Sequence, residues 1–178
     1  GRRIGRRWVV FVNARAEDVG VTEIEDREIR APEILEIEGH TTVTGLGPSI
    51  RYDSTNRGPV LHRGVSASLG YERVGAFGGQ AHFNKFYGTF DTYYTLHEDL
   101  FDRKTVLSLK TDVGYIDDDD APVFEKFYAG GLGSVRGFRY RGISPRSGAS
   151  EDAVGGVFQL LTSAEVSFPL YADMIRGV

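Results

Sequence analysis

Apolar and polar residues alternate one by one along most of this chain. In "GVSASLGYE", Gly64 to Glu72, the residues Val65, Ala67, Leu69 and Tyr71 fall on one side. Gly64, Ser66, Ser68, Gly70 and Glu72 fall on the other. A pleated strand sends successive side chains to opposite faces, so the pattern predicts a strand with one apolar and one polar face. Thr105 to Tyr115 repeats it, with Leu107, Leu109, Thr111, Val113 and Tyr115 opposite Ser108, Lys110, Asp112 and Gly114. So does Val157 to Leu170, with Phe158, Leu160, Thr162, Ala164, Val166 and Phe168 opposite Gln159, Ser163, Glu165 and Ser167. In Thr42 to Asp53, Leu46, Ile50 and Tyr52 oppose Gly45, Gly47, Ser49, Arg51 and Asp53. Arg7 to Arg15 puts Trp8, Val10, Val12 and Ala14 on one side.

Two segments are less regular. Gln80 to Leu96 is strand-like but changes phase near Lys85 and Phe86, as a bulge would cause. Thr22 to Glu38, with its charges and Pro32, predicts an irregular or edge strand. The connection from Asp117 to Val154 is the longest, and loops of that length are uncommon without a function.

Alternating strands of this kind fit either a soluble β-sandwich binding module or a transmembrane β-barrel. Three features favour an all-β, antiparallel transmembrane barrel, here an incomplete segment of roughly seven strands. The polar faces carry full charges and glycines, as a lumen wall does. The strands are near the ~9–11 residues that cross a bilayer at a tilt. Tyr52, Tyr71, Tyr93, Tyr94, Tyr115, Phe168 and Tyr171 sit near strand ends, like an interfacial aromatic girdle.

Composition narrows the function classes. The chain has 178 residues and a net charge of −4, with basic residues scattered, which argues against nucleic-acid binding. It has no cysteine, which removes thiol chemistry, disulfides and thiolate metal sites. No apolar run approaches the ~20 residues of a membrane helix. The "GRRIGRRWVVFV" start resembles a signal peptide, but its apolar run falls short of the roughly 7–15 residues required. The chain opens on Gly without Met, and it reads as a processed or partial chain.

The stretch "GGLGSVRGFRYRGISPR", Gly130 to Arg146, decides between the architectures. "SVRGF", preceded by "AGGLG" and followed by "RGISP", resembles the sixth-loop signature of the BamA-type outer-membrane barrel-assembly superfamily (the bacterial surface antigen family). "IRYDSTNRGPVLHRGVSASLGYE" resembles that family's strand, periplasmic turn and strand before the loop. "GGVFQLLTSAEVSFPL" resembles the strand after it. The resemblance covers about Thr42 to Val178.

The resemblance implies a bacterial outer-membrane barrel of about sixteen strands, usually preceded by periplasmic POTRA modules, of which none is recognisable here. Residues 1–178 would be one partial barrel domain, with its long loop about 117–154 folding inward. The implied function is that of a protein assembly factor and not an enzyme, with no cofactor. Its implied partners are unfolded outer-membrane protein precursors, assembly-complex lipoproteins and outer-membrane lipid. A two-partner secretion or TamA-like translocation pore is the alternative within the superfamily.

The implied site is the loop motif Val135, Arg136, Gly137 and Phe138, with Arg136 docked in the lumen on Glu165. A second acidic partner would lie beyond Val178. Glu165 falls on its strand's polar face by parity, and a partly dehydrated Arg needs an anionic, preferably bidentate partner. Gly130, Gly131 and Gly133 would let the loop turn sharply, and Phe138 would pack as an apolar stop.

Other features have plainer readings. "GGLGSVRG" lacks the spacing of a phosphate cradle, and Asp117 to Asp120 lacks the spaced ligands and Gly of an EF-hand loop. His40, His62, His82 and His97 show no metal-ligand spacing, and no G-x-S-x-G elbow is present. Asp53 and Arg57 fit turn chemistry at a periplasmic turn. Arg139 and Arg141 read as ordinary loop cations. Arg51, Glu72, Lys110 and Asp112 would form a lumen charge network.

Overall fold

The computed structural model describes residues 1–22, 24, 28–56, 61–100 and 102–169. It is an antiparallel sheet with almost no helix. The elements are β1 (Arg2–Ile4), β2 (Trp8–Val21), α1 (Pro32–Leu35), β3 (Gly39–Asp53), β4 (Gly64–Val74), β5 (Asn84–Glu98), β6 (Lys104–Ile116), β7 (Arg146–Ser147), β8 (Asp152–Ala153) and β9 (Phe158–Ser167). Seven strands form one meander in the order β1-β2-β3-β4-β5-β6-β9, which is not closed into a barrel. β7 and β8 make a small hairpin inside the loop between β6 and β9.

The ladders place every predicted apolar face on one side of the sheet. Val10 pairs with Ile50, Ile50 with Leu69, Val113 with Leu160 and Tyr115 with Phe158. These side chains meet no second sheet. Val12 is 73% exposed, Leu69 61% and Leu160 58%. A sandwich would bury this face, so the bare apolar band argues for lipid as its partner. Trp8 and Tyr52 stack near one end of the band, ring centroids 4.8 Å apart. Tyr71, Phe86 and Tyr115 form a row toward the other end.

The core lies on the opposite, polar face. At the loop end of the sheet that face turns apolar, and Val43, Val74, Phe83 and Ile116 are buried there with Ala121 of the loop. Phe124, Phe127 and Val157 pack against them. A second cluster joins Ala31 to Val123 and Val154, with Ile34 and Ile37 against it.

Three predictions need correction. The 22–38 region holds no strand among its described residues from 28 on: Pro32 opens the short helix α1, where its missing N–H and fixed φ suit the first helical position. The seventh strand of the sheet is instead β1, hairpinned to β2 through Gly5 at φ 72. The phase change near Lys85 is not a bulge. The β4–β5 ladder runs unbroken from Arg73–Asn84 to Gly64–Tyr93. Phe83 is apolar on the inner face because the loop covers it, whereas Phe86 is apolar on the outer face. The register shift falls between Thr95 and His97, where β5 meets β6. β2 also extends to Val21, past Glu17 and Asp18, which interrupt the alternation. Arg57 and Tyr171 lie outside the described residues.

Candidate functional site

The loop after β6 begins by tying itself to β5. The Asp117 carboxylate accepts from the Asn84 backbone N–H at 2.7 Å and from its amide at 2.5 Å. These bonds hold the Asp117 carboxyl below the usual carboxylate range. The chain then turns onto the polar face of the sheet and presents Glu125.

Glu125 is 5% exposed and is held by cations from two strands. Arg15 of β2 donates from both terminal nitrogens, at 2.8 and 2.9 Å, in a bidentate fork. Its Nε donates to Glu72 of β4 at 2.5 Å. Lys85 of β5 donates to the Glu125 carbonyl at 2.8 Å and to its carboxylate at 3.1 Å. Burial pushes the Glu125 carboxyl up. The hydrogen bonds and charges of Arg15 and Lys85 outweigh that and hold it below the usual carboxylate range.

Two small residues make room for this contact. A Cβ on Gly114 would sit 2.5 Å from the Phe127 ring, and one on Gly45 would collide with the Glu72 carboxylate. The Phe127 ring also lies 5.2 Å from Lys85 Nζ. Beyond it the loop pairs with the wall and with itself. Phe127 exchanges two 2.9 Å backbone bonds with Gly156, Gln159 of β9 donates to the Tyr128 carbonyl at 2.9 Å, and Ala129 pairs with Ile143.

A second tie joins the loop to the 28–38 segment. Asp152 accepts from Arg30 at 2.9 Å and from the Ala31 N–H at 3.0 Å. The Ser150 backbone N–H donates to the Ile29 carbonyl at 3.0 Å, and its hydroxyl donates to the Asp152 carboxylate at 2.7 Å. The bonds from Ser150, Ala31 and Arg30, the Ser150 bond foremost, hold the Asp152 carboxyl low.

The predicted motif occupies the tip of the loop. Gly130 and Gly131 have φ of 108 and 97, and Gly137 has 88, so these three use the left-handed freedom expected of them. Gly133 does not appear among the positive-φ glycines. The Gly131 N–H reaches the carbonyls of Val135 and Phe138, at 3.2 and 3.1 Å, closing the tip on itself. Arg136 and Glu165 are both exposed and are not brought together: no ion pair joins them, and Glu165 stands opposite Ser108 near the far end of β9. Phe138 is 55% exposed, so it forms no apolar stop. Arg141, by contrast, stacks 4.5 Å from the Tyr128 ring. Of the four predicted network residues Arg51, Glu72, Lys110 and Asp112, only Glu72 makes an ion pair among the described residues. Asp53 does what turn chemistry predicts, accepting from Thr55 N–H and Oγ1 at 2.9 and 2.7 Å.

Sequence reasoning thus missed the acid that anchors the loop. It places the arginine on the loop and the acid on the wall, whereas here the loop supplies Glu125 and the wall supplies Arg15 and Lys85. The available signal was the polar-face parity of Arg15 and Lys85, two cations with no acid assigned to them.

An open antiparallel sheet with a bare apolar face and a long loop folded onto its polar face has the architecture of a transmembrane β-barrel segment. The chain belongs to the Omp85 superfamily, whose domain it matches over residues 1–178. A stretch of 37 residues is 57% identical to the outer membrane protein assembly factor BamA of Nitratidesulfovibrio vulgaris (strain Hildenborough). That stretch is 21% of this chain and 5% of that relative.

Proposed function

We propose that this chain is part of the barrel of a bacterial outer-membrane assembly factor of BamA type, which inserts and folds β-barrel precursors. The observation that supports it most directly is the loop seated on the polar face by Glu125 while the apolar face stays bare. Such a barrel presents lipid with one face and keeps the other occupied. An assembly barrel works by offering unpaired backbone groups at a seam to an incoming strand, because those groups cannot stay unpaired in lipid. The similarity to a BamA favours assembly over secretion. Unfolded outer-membrane precursors and assembly lipoproteins are the partners this reading implies. A docked Arg136–Glu165 strut in the complete barrel belongs to the same proposal.

Depletion of the full-length protein in its own cells tests the reading. Several unrelated outer-membrane barrels should fall together in abundance, measured by quantitative proteomics of outer-membrane fractions. Loss of one secreted protein with the barrels unchanged would instead assign a two-partner secretion pore.

A further inference from the structure

The N-terminal "GRRIGRR" has no part in the loop site. It places Arg2, Arg3, Arg6 and Arg7 at the end of the sheet away from the long loop, all exposed. None of the four forms an ion pair among the described residues. The first acid in the chain is Glu17, at the other end of β2. The one acid across the ladder at this rim, Asp53, is engaged by Thr55. Arg6 and Arg7 in the turn, with Arg2 and Arg3 just inward on β1, make this edge of the sheet strongly cationic.

Their position says what kind of partner suits them. Ile4 pairs with Trp8 and Trp8 with Tyr52, on the apolar face. Arg7 reaches toward the same face, its Nη1 3.5 Å from Tyr52 Oη. Arg2 pairs with Val10, so parity puts it on that face too, about 7 Å further along the strand. Directly above lies a shallow apolar groove of about 220 Å³, lined by Val10, Pro48, Ile50, Leu69 and Tyr71. It opens where Pro48 interrupts the row of larger side chains. Arg7, a Trp–Tyr pair and an apolar groove therefore follow one another along the apolar face, with Arg2 beside the groove's Val10 and long enough to run back toward the pair.

We propose that this rim binds an anionic glycerophospholipid of the leaflet opposite the long loop. Arg7 and Arg2 donate to the phosphate, Trp8 and Tyr52 flank the glycerol region, and an acyl chain lies in the groove above. Juxtamembrane cations attract anionic headgroups, and long cationic side chains run along apolar surface to reach them. An acidic polypeptide fits less well, because the groove beside the cations is lined mostly by apolar side chains. The proposal rests on the barrel reading but not on the assembly function.

Native mass spectrometry of the full-length protein in detergent tests it, with phosphatidylglycerol, phosphatidylethanolamine and phosphatidylcholine each supplied alone. The wild type should retain phosphatidylglycerol best. The double variant Arg2→Gln with Arg7→Gln should hold it about tenfold more weakly. Arg51→Gln, at the same height on the polar face, should leave retention unchanged. Heat-modifiable gel mobility confirms that each variant is folded. Equal retention by the double variant, or an equal loss in Arg51→Gln, overturns the proposal. So does binding of soluble poly-glutamate in place of phosphatidylglycerol. Lipid retention does not depend on precursor insertion, so a negative depletion experiment would leave this result standing.

Discussion

Glu125 concentrates the energetics of the loop in one carboxylate. It is nearly buried, whereas Arg15 is 27% exposed and Lys85 19%. Removing one partner of such a pair strands the other charges in a half-dehydrated site. Breaking buried pairs typically costs about 3–5 kcal/mol, and the partial exposure of the cations pulls this somewhat below that range. Glu125→Gln should therefore lower the urea midpoint of the full-length protein in lipid vesicles by an amount equivalent to roughly 2–3 kcal/mol. Arg15→Gln should act non-additively with it, since the two changes remove one contact. Additive losses would mean that Arg15 acts through Glu72 alone. The pH dependence has a definite sign. The folded carboxyl titrates below its unfolded value of about 4.3, so its contribution is fully present above that pH. It is lost as pH falls through the lower folded value. Below about pH 4 the wild type should lose stability more steeply than Glu125→Gln, whose neutral amide does not titrate. Parallel pH curves for the two proteins would count against this assignment.

At the scale of elements, the loop is held by complementarity between β6 and its own first segment. Gly114 leaves the space that the Phe127 ring fills, so Gly114→Val should lift the loop off the sheet. The measurement is limited proteolysis: cleavage between residues 117 and 157 should speed up several-fold. Phe127→Ala on that background should restore part of the protection. No rescue would mean that Val acts on the strand instead. Oxidative crosslinking distinguishes the two ends of the loop. Cysteines at 15 and 125 should join with a short bifunctional reagent. Cysteines at 136 and 165 should join only if the implied strut forms in the complete barrel.

The strands were legible because their signal is local. Each apolar face, from Val65 to Tyr71 or Leu107 to Tyr115, is written in consecutive residues, and the ladders reproduce those parities. The loop's anchor was not legible for the opposite reason. Glu125 and Arg15 are 110 residues apart, and nothing in "PVFEKFY" names its partners. Phe83 and Phe86 show the same limit on a smaller scale. Parity alone sends them to opposite faces, but only the covering loop explains why an apolar residue, Phe83, stands on the polar one. Pro32 misled for a local reason, since its ring suits either an edge strand or a first helical turn.

Across the whole molecule, the two faces of the sheet obey different rules, and substitutions should separate them. Leu69, Val113 and Leu160 form a row across β4, β6 and β9 through Gly88 of β5. If this row faces hydrocarbon, a charge placed there must be drawn out of water. Lys near the bilayer midplane of a barrel costs about 2–4 kcal/mol, falling toward zero at the interfaces. Leu69→Lys should accordingly reduce the fraction of full-length protein that folds into phosphatidylcholine vesicles, read from the heat-modified and unmodified gel bands. Ser68→Lys, one residue away on the polar face, exchanges a 2.7 Å contact with Thr89 for a cation in an aqueous lumen and should fold nearly as well as the wild type. The reverse order, with Ser68→Lys the more damaging, would mean that the exposed apolar band meets protein instead of lipid. A thicker bilayer carries the test one step further. The cost at position 69 should persist as the acyl chains lengthen. Lys in place of Trp8, at the edge of the band, should become more harmful as the hydrocarbon boundary moves toward it.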